Sequence, residues 1–151
     1  MPLFFPATNP SSPLASMRGD HAGVRVPDLQ SALAWYSDKL DFRLTGSTEG
    51  VGLTWAFIAP ANDDNFQIEL AAGPGAVDRP AGAELKDSLG LHGWHHVCLR
   101  VDSVDETLAE LRLRDVKIVA GPMDFDEIRC RCAFFEDPWG NLFEVMQRNA
   151  A

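Results

Sequence analysis

The chain has 151 residues, 46% of them hydrophobic, which suffices for one well-packed domain or for two small modules that share a core. Its formal net charge of −9 disfavours nucleic acid and anionic membranes as partners, and no apolar run reaches the roughly 18 residues of a membrane span. The three cysteines, Cys98, Cys130 and Cys132, lack metal-finger spacing and predict reduced thiols in a cytoplasmic protein.

Residues 1–18 are rich in proline and serine and lack the positively charged start of a signal peptide, so we expect a flexible N-terminal extension. From residue 21, "HAGVRV" alternates like a strand. Asp28 is a suitable N-cap for the amphipathic helix that follows. The segments "FRLTGST", "LTWAFIA" and "FQIELAA" then predict three strands. Residues 19–75 therefore predict a βαβββ module.

The next segment, residues 76–92, is rich in glycine, proline and alanine at first and then permits a turn or two of helix, which indicates a linker. A second strand, "HVCLRV", begins at His96, and the Ser103/Glu106 capping box predicts a helix after it. The runs "KIVAG", "RCAFFED" and "LFEVMQ" predict three more strands. Residues 93–149 thus repeat the βαβββ order.

The two modules match each other at one constant offset. His21 and His96 stand at the start of equivalent strands, 75 positions apart, and Glu69 and Glu144 occupy equivalent last strands, again 75 positions apart. On each strand these residues lie on the face opposite the best-packing apolar side chains. A carboxylate buried in a sheet needs a cation or a donor, and two imidazoles with two carboxylates suit a divalent first-row metal.

The repeat also separates the three histidines of "HGWHH". His96 is the equivalent of His21, whereas His95 is expected on the opposite strand face, with Asp20 as its counterpart, and His92 falls in the linker. We therefore expect His95 and His92 to be dispensable for metal binding. Arg25 shares the strand face of His21 and is either a group that holds an anionic substrate or an arginine at the rim of the sheet.

The segments "HAGVRVPDLQSALAWYSDKLDF", "HHVCLRVDSVDETLAELRLRDV" and "FFEDPWGNLFEV" resemble the vicinal oxygen chelate superfamily, and the likeness covers residues 20–147. The resemblance implies an α+β fold in which two tandem βαβββ modules form an eight-stranded curled sheet, or cup, with flanking helices. It further implies His21, Glu69, His96 and Glu144 as metal ligands, a His, Glu, His, Glu order that resembles that of glyoxalase I and of methylmalonyl-CoA epimerase.

That ligand order implies an isomerase, epimerase or lyase that moves a proton next to a metal-chelated carbonyl of a small-molecule substrate. We expect one divalent ion (Ni, Co, Zn or Mn before Fe) and a homodimer. Glu144 is the candidate for both ligand and base. Glu49 is a second candidate base, against its ordinary interpretation as an exposed turn residue. The alternatives are an Fe(II)-dependent extradiol-type dioxygenase and a non-catalytic protein that binds or sequesters a small molecule.

Overall fold

A computed structural model describes residues 5–78, 84–90 and 92–149. The first module contains β1 (His21–Val26), α1 (Leu29–Leu40), β2 (Arg43–Gly50), β3 (Leu53–Ala59) and β4 (Gln67–Ala72). A short helix, α2 (Leu85–Ser88), follows in the predicted linker. The second module contains β5 (Val97–Arg100), α3 (Val104–Leu113), β6 (Lys117–Phe125), β7 (Cys130–Glu136) and β8 (Leu142–Arg148). This order confirms the two predicted βαβββ modules.

Each module folds into one four-stranded mixed sheet with the same strand order. The orders are β1-β4-β3-β2 and β5-β8-β7-β6, with the first pair in each sheet parallel and the others antiparallel. The predicted eight strands are thus present as two sheets in the described part of the chain. In both sheets the first strand lies at an edge, beside the last strand of its module.

Helices α1 and α3 start where the sequence predicts, because side chains cap them. Asp28 accepts a hydrogen bond from the backbone N–H of Ser31 (2.8 Å), and Ser103 accepts one from the N–H of Glu106 (3.2 Å). The second-module strand begins one residue later than predicted, at Val97. His96 therefore lies just before β5, a difference that matters for the site.

None of the helices within the described residues could span a membrane, because each is too short or too polar.

One hydrophobic core spans both modules. Tyr36 of α1 is fully buried and packs edge-on against Phe143 of β8, with ring centroids 6.0 Å apart. Its hydroxyl donates a hydrogen bond of 2.8 Å to Asp137, which is itself only 2% exposed. Asp137 also accepts hydrogen bonds from the Trp139 N–H and from the backbone and side-chain amides of Asn141. The first helix thereby fixes the turn from which β8 starts.

Candidate metal centre

The predicted histidines meet at one cavity between the two edge strands. It has a volume of about 380 Å³ and is lined by His21, Gly23 and Arg25 of β1, by residues 94–97 before and at the start of β5, and by Asn141 and Leu142. One histidine of each predicted His–Glu pair, His21 and His96, thus lines the same cavity.

In the first half, His21 faces Glu69. The His21 Nε2 lies 3.7 Å from the Glu69 Oε2, and its Nδ1 lies 2.7 Å from the Asp20 Oδ1. The imidazole packs edge-on against Phe57, at 5.5 Å between centroids. Glu69 is the register partner of Gly23, where a Cβ would stand 3.6 Å from the Glu69 Oε2. The glycine therefore leaves open space beside this carboxylate.

The second half repeats this arrangement more tightly. The His96 Nε2 lies 3.2 Å from the Glu144 Oε2, and the ring packs edge-on against Phe134, at 5.2 Å between centroids. Phe57 and Phe134 are the register partners of Glu69 and Glu144 on the neighbouring strands. The 75-residue repeat in sequence is thus a repeat of His–Glu–Phe geometry in space.

Two thiols distinguish Glu144 from Glu69. Cys98 takes the place beside Glu144 that Gly23 takes beside Glu69, and Cys132 lies near it on β7. Burial, followed by hydrogen bonding to the Glu144 carboxylate, raises the pKa of each thiol to about 12. All three cysteines are unbridged, as predicted. Cys132 lies near Glu144 because of the register between β7 and β8, and no local sequence pattern reveals that register.

The expectation that His95 turns away from the site is wrong. Its Nδ1 lies 2.8 Å from the His96 Nδ1, and its Nε2 lies 2.8 Å from the Ser88 Oγ. Strand alternation does not apply here, because β5 starts at Val97 and both histidines precede it. His92 is exposed.

Glu49, the second candidate base, lies away from this centre. It is exposed on β2 and accepts a hydrogen bond of 2.8 Å from the Thr54 hydroxyl. Glu49 pairs with Thr54, whereas Glu69 pairs with Phe57, three residues further along β3. Direct partners share a sheet face and neighbouring positions alternate, so Glu49 and Glu69 lie on opposite faces.

Arg25 lines the cavity, but its guanidinium is hydrogen-bonded to backbone carbonyl oxygens. Its guanidinium donates to the carbonyl oxygens of Val26, Ala71 (2.7 Å), Gly73 (2.7 Å) and Pro74 (2.8 Å). These bonds fasten the end of β4 to β1. The sequence left open whether Arg25 holds an anionic substrate or is an arginine at the rim of the sheet, and these bonds support the second interpretation.

The predicted ligands come together as two pairs, one from each half. Within residues 5–78, 84–90 and 92–149, no three His, Cys, Asp or Glu side chains are grouped closely enough to hold a metal ion. Each pair supplies one imidazole nitrogen and one carboxylate oxygen. A four-ligand centre therefore requires the pairs to close on each other, within one chain or between two copies.

Known proteins share this fold and parts of the sequence. The family model described as Glyoxalase/Bleomycin resistance protein/Dioxygenase superfamily matches residues 18–145. The mitochondrial methylmalonyl-CoA epimerase of Bos taurus is 29% identical over 68% of this chain, although the match spans only 57% of the bovine protein. A probable lactoylglutathione lyase of Synechocystis is 29% identical over 86% of this chain and 95% of its own length.

Among solved structures, an antibiotic-binding protein of a Streptomyces species superposes with a TM-score of 0.64 at 25% identity, over 88% of this chain and 97% of the other. The paired modules, their repeated His–Glu geometry and the family match over most of the chain agree. The chain belongs to the glyoxalase/bleomycin resistance protein/dioxygenase superfamily.

Proposed function

We propose that the protein is a divalent-metal-dependent enzyme of the glyoxalase or epimerase type, which moves a proton next to the carbonyl of a small-molecule substrate. His21, Glu69, His96 and Glu144 are its proposed metal ligands. The observation that carries the proposal is the repeated approach of a histidine Nε2 to a glutamate Oε2, at 3.7 Å and 3.2 Å, beside one cavity.

These distances suit a metal site. Ligand atoms bound at about 2.0–2.2 Å in neighbouring positions around one ion stand roughly 3.0–3.5 Å apart. The His96–Glu144 separation of 3.2 Å falls within this range, and the His21–Glu69 separation of 3.7 Å exceeds it slightly. Two imidazoles and two carboxylates are a donor set for Ni, Co, Zn or Mn. Closure of the two pairs around one ion, in a chain or in a homodimer, is part of the proposal.

The chain's own residues divide the remaining work. A bound ion would supply Lewis acidity to the substrate carbonyl. Glu144 is the proposed base that takes and returns the substrate proton, because it is the more buried of the two carboxylates, with a side chain that is only 9% exposed. Glu69, at 23% exposure, acts as a ligand. Phe57 and Phe134 hold the two imidazoles in place by edge-on packing.

The test uses the metal-stripped full chain reloaded with Ni, Co, Zn or Mn. Methylmalonyl-CoA and S-lactoylglutathione are the probes, and deuterium uptake from D₂O at the carbon next to the carbonyl is the readout. Glu69→Gln and Glu144→Gln are expected to lower metal content, and Glu144→Gln to abolish exchange. Glu49→Gln is the matched control and is expected to retain both. Full metal content and exchange in both site variants would refute the proposal.

The likeness to an antibiotic-binding protein favours a second candidate function, the binding of a small molecule without turnover. The two candidates differ in their metal requirement. If either probe still binds after the metal has been removed by a chelator, and neither probe takes up deuterium, the result supports binding without turnover. An Fe(II)-loaded protein that consumes oxygen with a catechol would instead indicate a dioxygenase.

A further inference from the structure

The residue immediately before each proposed ligand histidine contacts that histidine's other ring nitrogen. Asp20 and His95 are 75 positions apart, like the histidines that follow them. The Asp20 Oδ1 lies 2.7 Å from the His21 Nδ1, and the His95 Nδ1 lies 2.8 Å from the His96 Nδ1. The two residue types differ, yet the contact is the same in both halves.

In the first half, the donor in this contact is defined by chemistry. The Asp20 side chain is 88% exposed, and the oxygens of a carboxylate accept hydrogen bonds but do not donate them. The His21 Nδ1 must therefore carry the proton. In the neutral ring, Nε2 then has a free lone pair, and it is this nitrogen that faces the Glu69 Oε2.

In the second half, the direction follows from Ser88 at the end of α2. The Ser88 hydroxyl donates to the Leu85 carbonyl (2.6 Å), so toward His95 its oxygen acts as an acceptor. The His95 Nε2 therefore carries the proton and its Nδ1 accepts from the His96 Nδ1–H. The His96 Nε2 is left with a free lone pair, 3.2 Å from the Glu144 Oε2.

Both halves thus leave a nitrogen lone pair facing a carboxylate oxygen, an arrangement that a bound cation would satisfy on both sides. We infer that Asp20 and His95 are positioning residues, which hold His21 and His96 in the Nδ1–H tautomer so that each Nε2 can bind the ion. Ser88 in turn orients His95, so α2 of the linker supports the site. This inference rests on the proposed function only for the ion; the tautomers concern the protein itself.

The tautomers are read directly by long-range ¹H–¹⁵N NMR on the metal-free full chain, which has four histidines to assign. At a pH where the rings are neutral, His21 and His96 are expected as Nδ1–H tautomers and His95 as the Nε2–H tautomer. Asp20→Ala and His95→Ala are expected to shift only the following histidine toward the other tautomer. His92→Ala, from the same stretch, is the matched control and leaves both unchanged.

Metal affinity is the second readout, measured by competition with a chelator. Asp20→Ala and His95→Ala are each expected to weaken binding by about 10–100-fold, the usual effect of losing an orienting partner of a ligand histidine. Asp20→Asn, whose amide oxygen can still accept the hydrogen bond, is expected to keep most of the metal affinity of the wild type. His92→Ala is expected to bind like the wild type.

The outcomes separate the two proposals. Nε2–H tautomers at His21 and His96 in the wild type, or weaker binding in Asp20→Ala with an unchanged tautomer, would overturn the positioning role. The stated tautomers in a wild-type protein that binds none of Ni, Co, Zn or Mn would support the positioning of the rings and refute the proposed metal-dependent function.

Discussion

Replacement of Tyr36 by Phe tests how the first helix is joined to the strand that carries Glu144. The ring of Tyr36 is fully buried, and its contacts with Phe42 and Phe143 do not involve the hydroxyl. The change therefore removes one hydrogen bond of 2.8 Å to the buried Asp137 and little else.

The expected loss follows from the partners that Asp137 retains. A hydrogen bond to a charged group contributes about 1.5–3 kcal/mol. The Asp137 Oδ2 keeps the Asn141 side-chain amide at 2.7 Å, so it is not left unpaired. We expect a decrease of about 2 kcal/mol in the free energy of unfolding, and a Tm lower by roughly 4–8 °C in a domain of this size.

Urea unfolding of Tyr36→Phe, Asp137→Ala and the double variant forms a thermodynamic cycle that isolates the pair. The two losses are expected to be strongly non-additive, because each single change already breaks the same bond. A loss below about 0.5 kcal/mol in Tyr36→Phe, or strict additivity, would show that this bond does not join the modules as described.

Two further predictions concern titratable groups. Burial raises the pKa of Asp137 above its ordinary value of 3.8, so between these two pKa values the folded state binds more protons than the unfolded state. The stability of the wild type relative to Asp137→Asn is therefore expected to fall as the pH rises through that interval; a pH-independent difference would contradict this. Cys98 is exposed, but with a pKa of about 12 its alkylation by iodoacetamide at pH 8 is expected to be roughly a thousandfold slower than that of free cysteine. Glu144→Gln is expected to accelerate it, and fast labelling of the metal-free wild type would contradict the raised pKa that burial and the Glu144 hydrogen bond produce.

The fold could be predicted from the sequence because the same pattern of residues occurs twice, once in each module. One strand histidine or one strand glutamate is ambiguous, but His21 with His96 and Glu69 with Glu144 share an offset that chance does not readily produce. Helix caps at Asp28 and Ser103 added local signals that the structure confirms. Residues with a counterpart or a cap were therefore predictable.

The surroundings of those residues were not predictable, because they depend on where strands begin and how they align. A shift of one residue at the start of β5 brings His95 beside His96, and the β7–β8 register brings Cys132 toward Glu144. The sheet face on which Glu49 lies also follows only when the register between β2 and β3 is known. Asp20 and His95 are also 75 positions apart, but because one is a carboxylate and the other an imidazole, the sequence did not indicate that each contacts the Nδ1 of the following histidine.

The contrast between Gly23 and Cys98 has a consequence for the ancestry and engineering of the chain. If the modules arose by duplication, this position has since diverged, so that one carboxylate is confined by a thiol and the other is left with free volume. A protein built from two copies of the first module would have two loosely held glutamates, and one built from two copies of the second would have two confined ones. Neither symmetric protein would reproduce the natural site, which combines one of each.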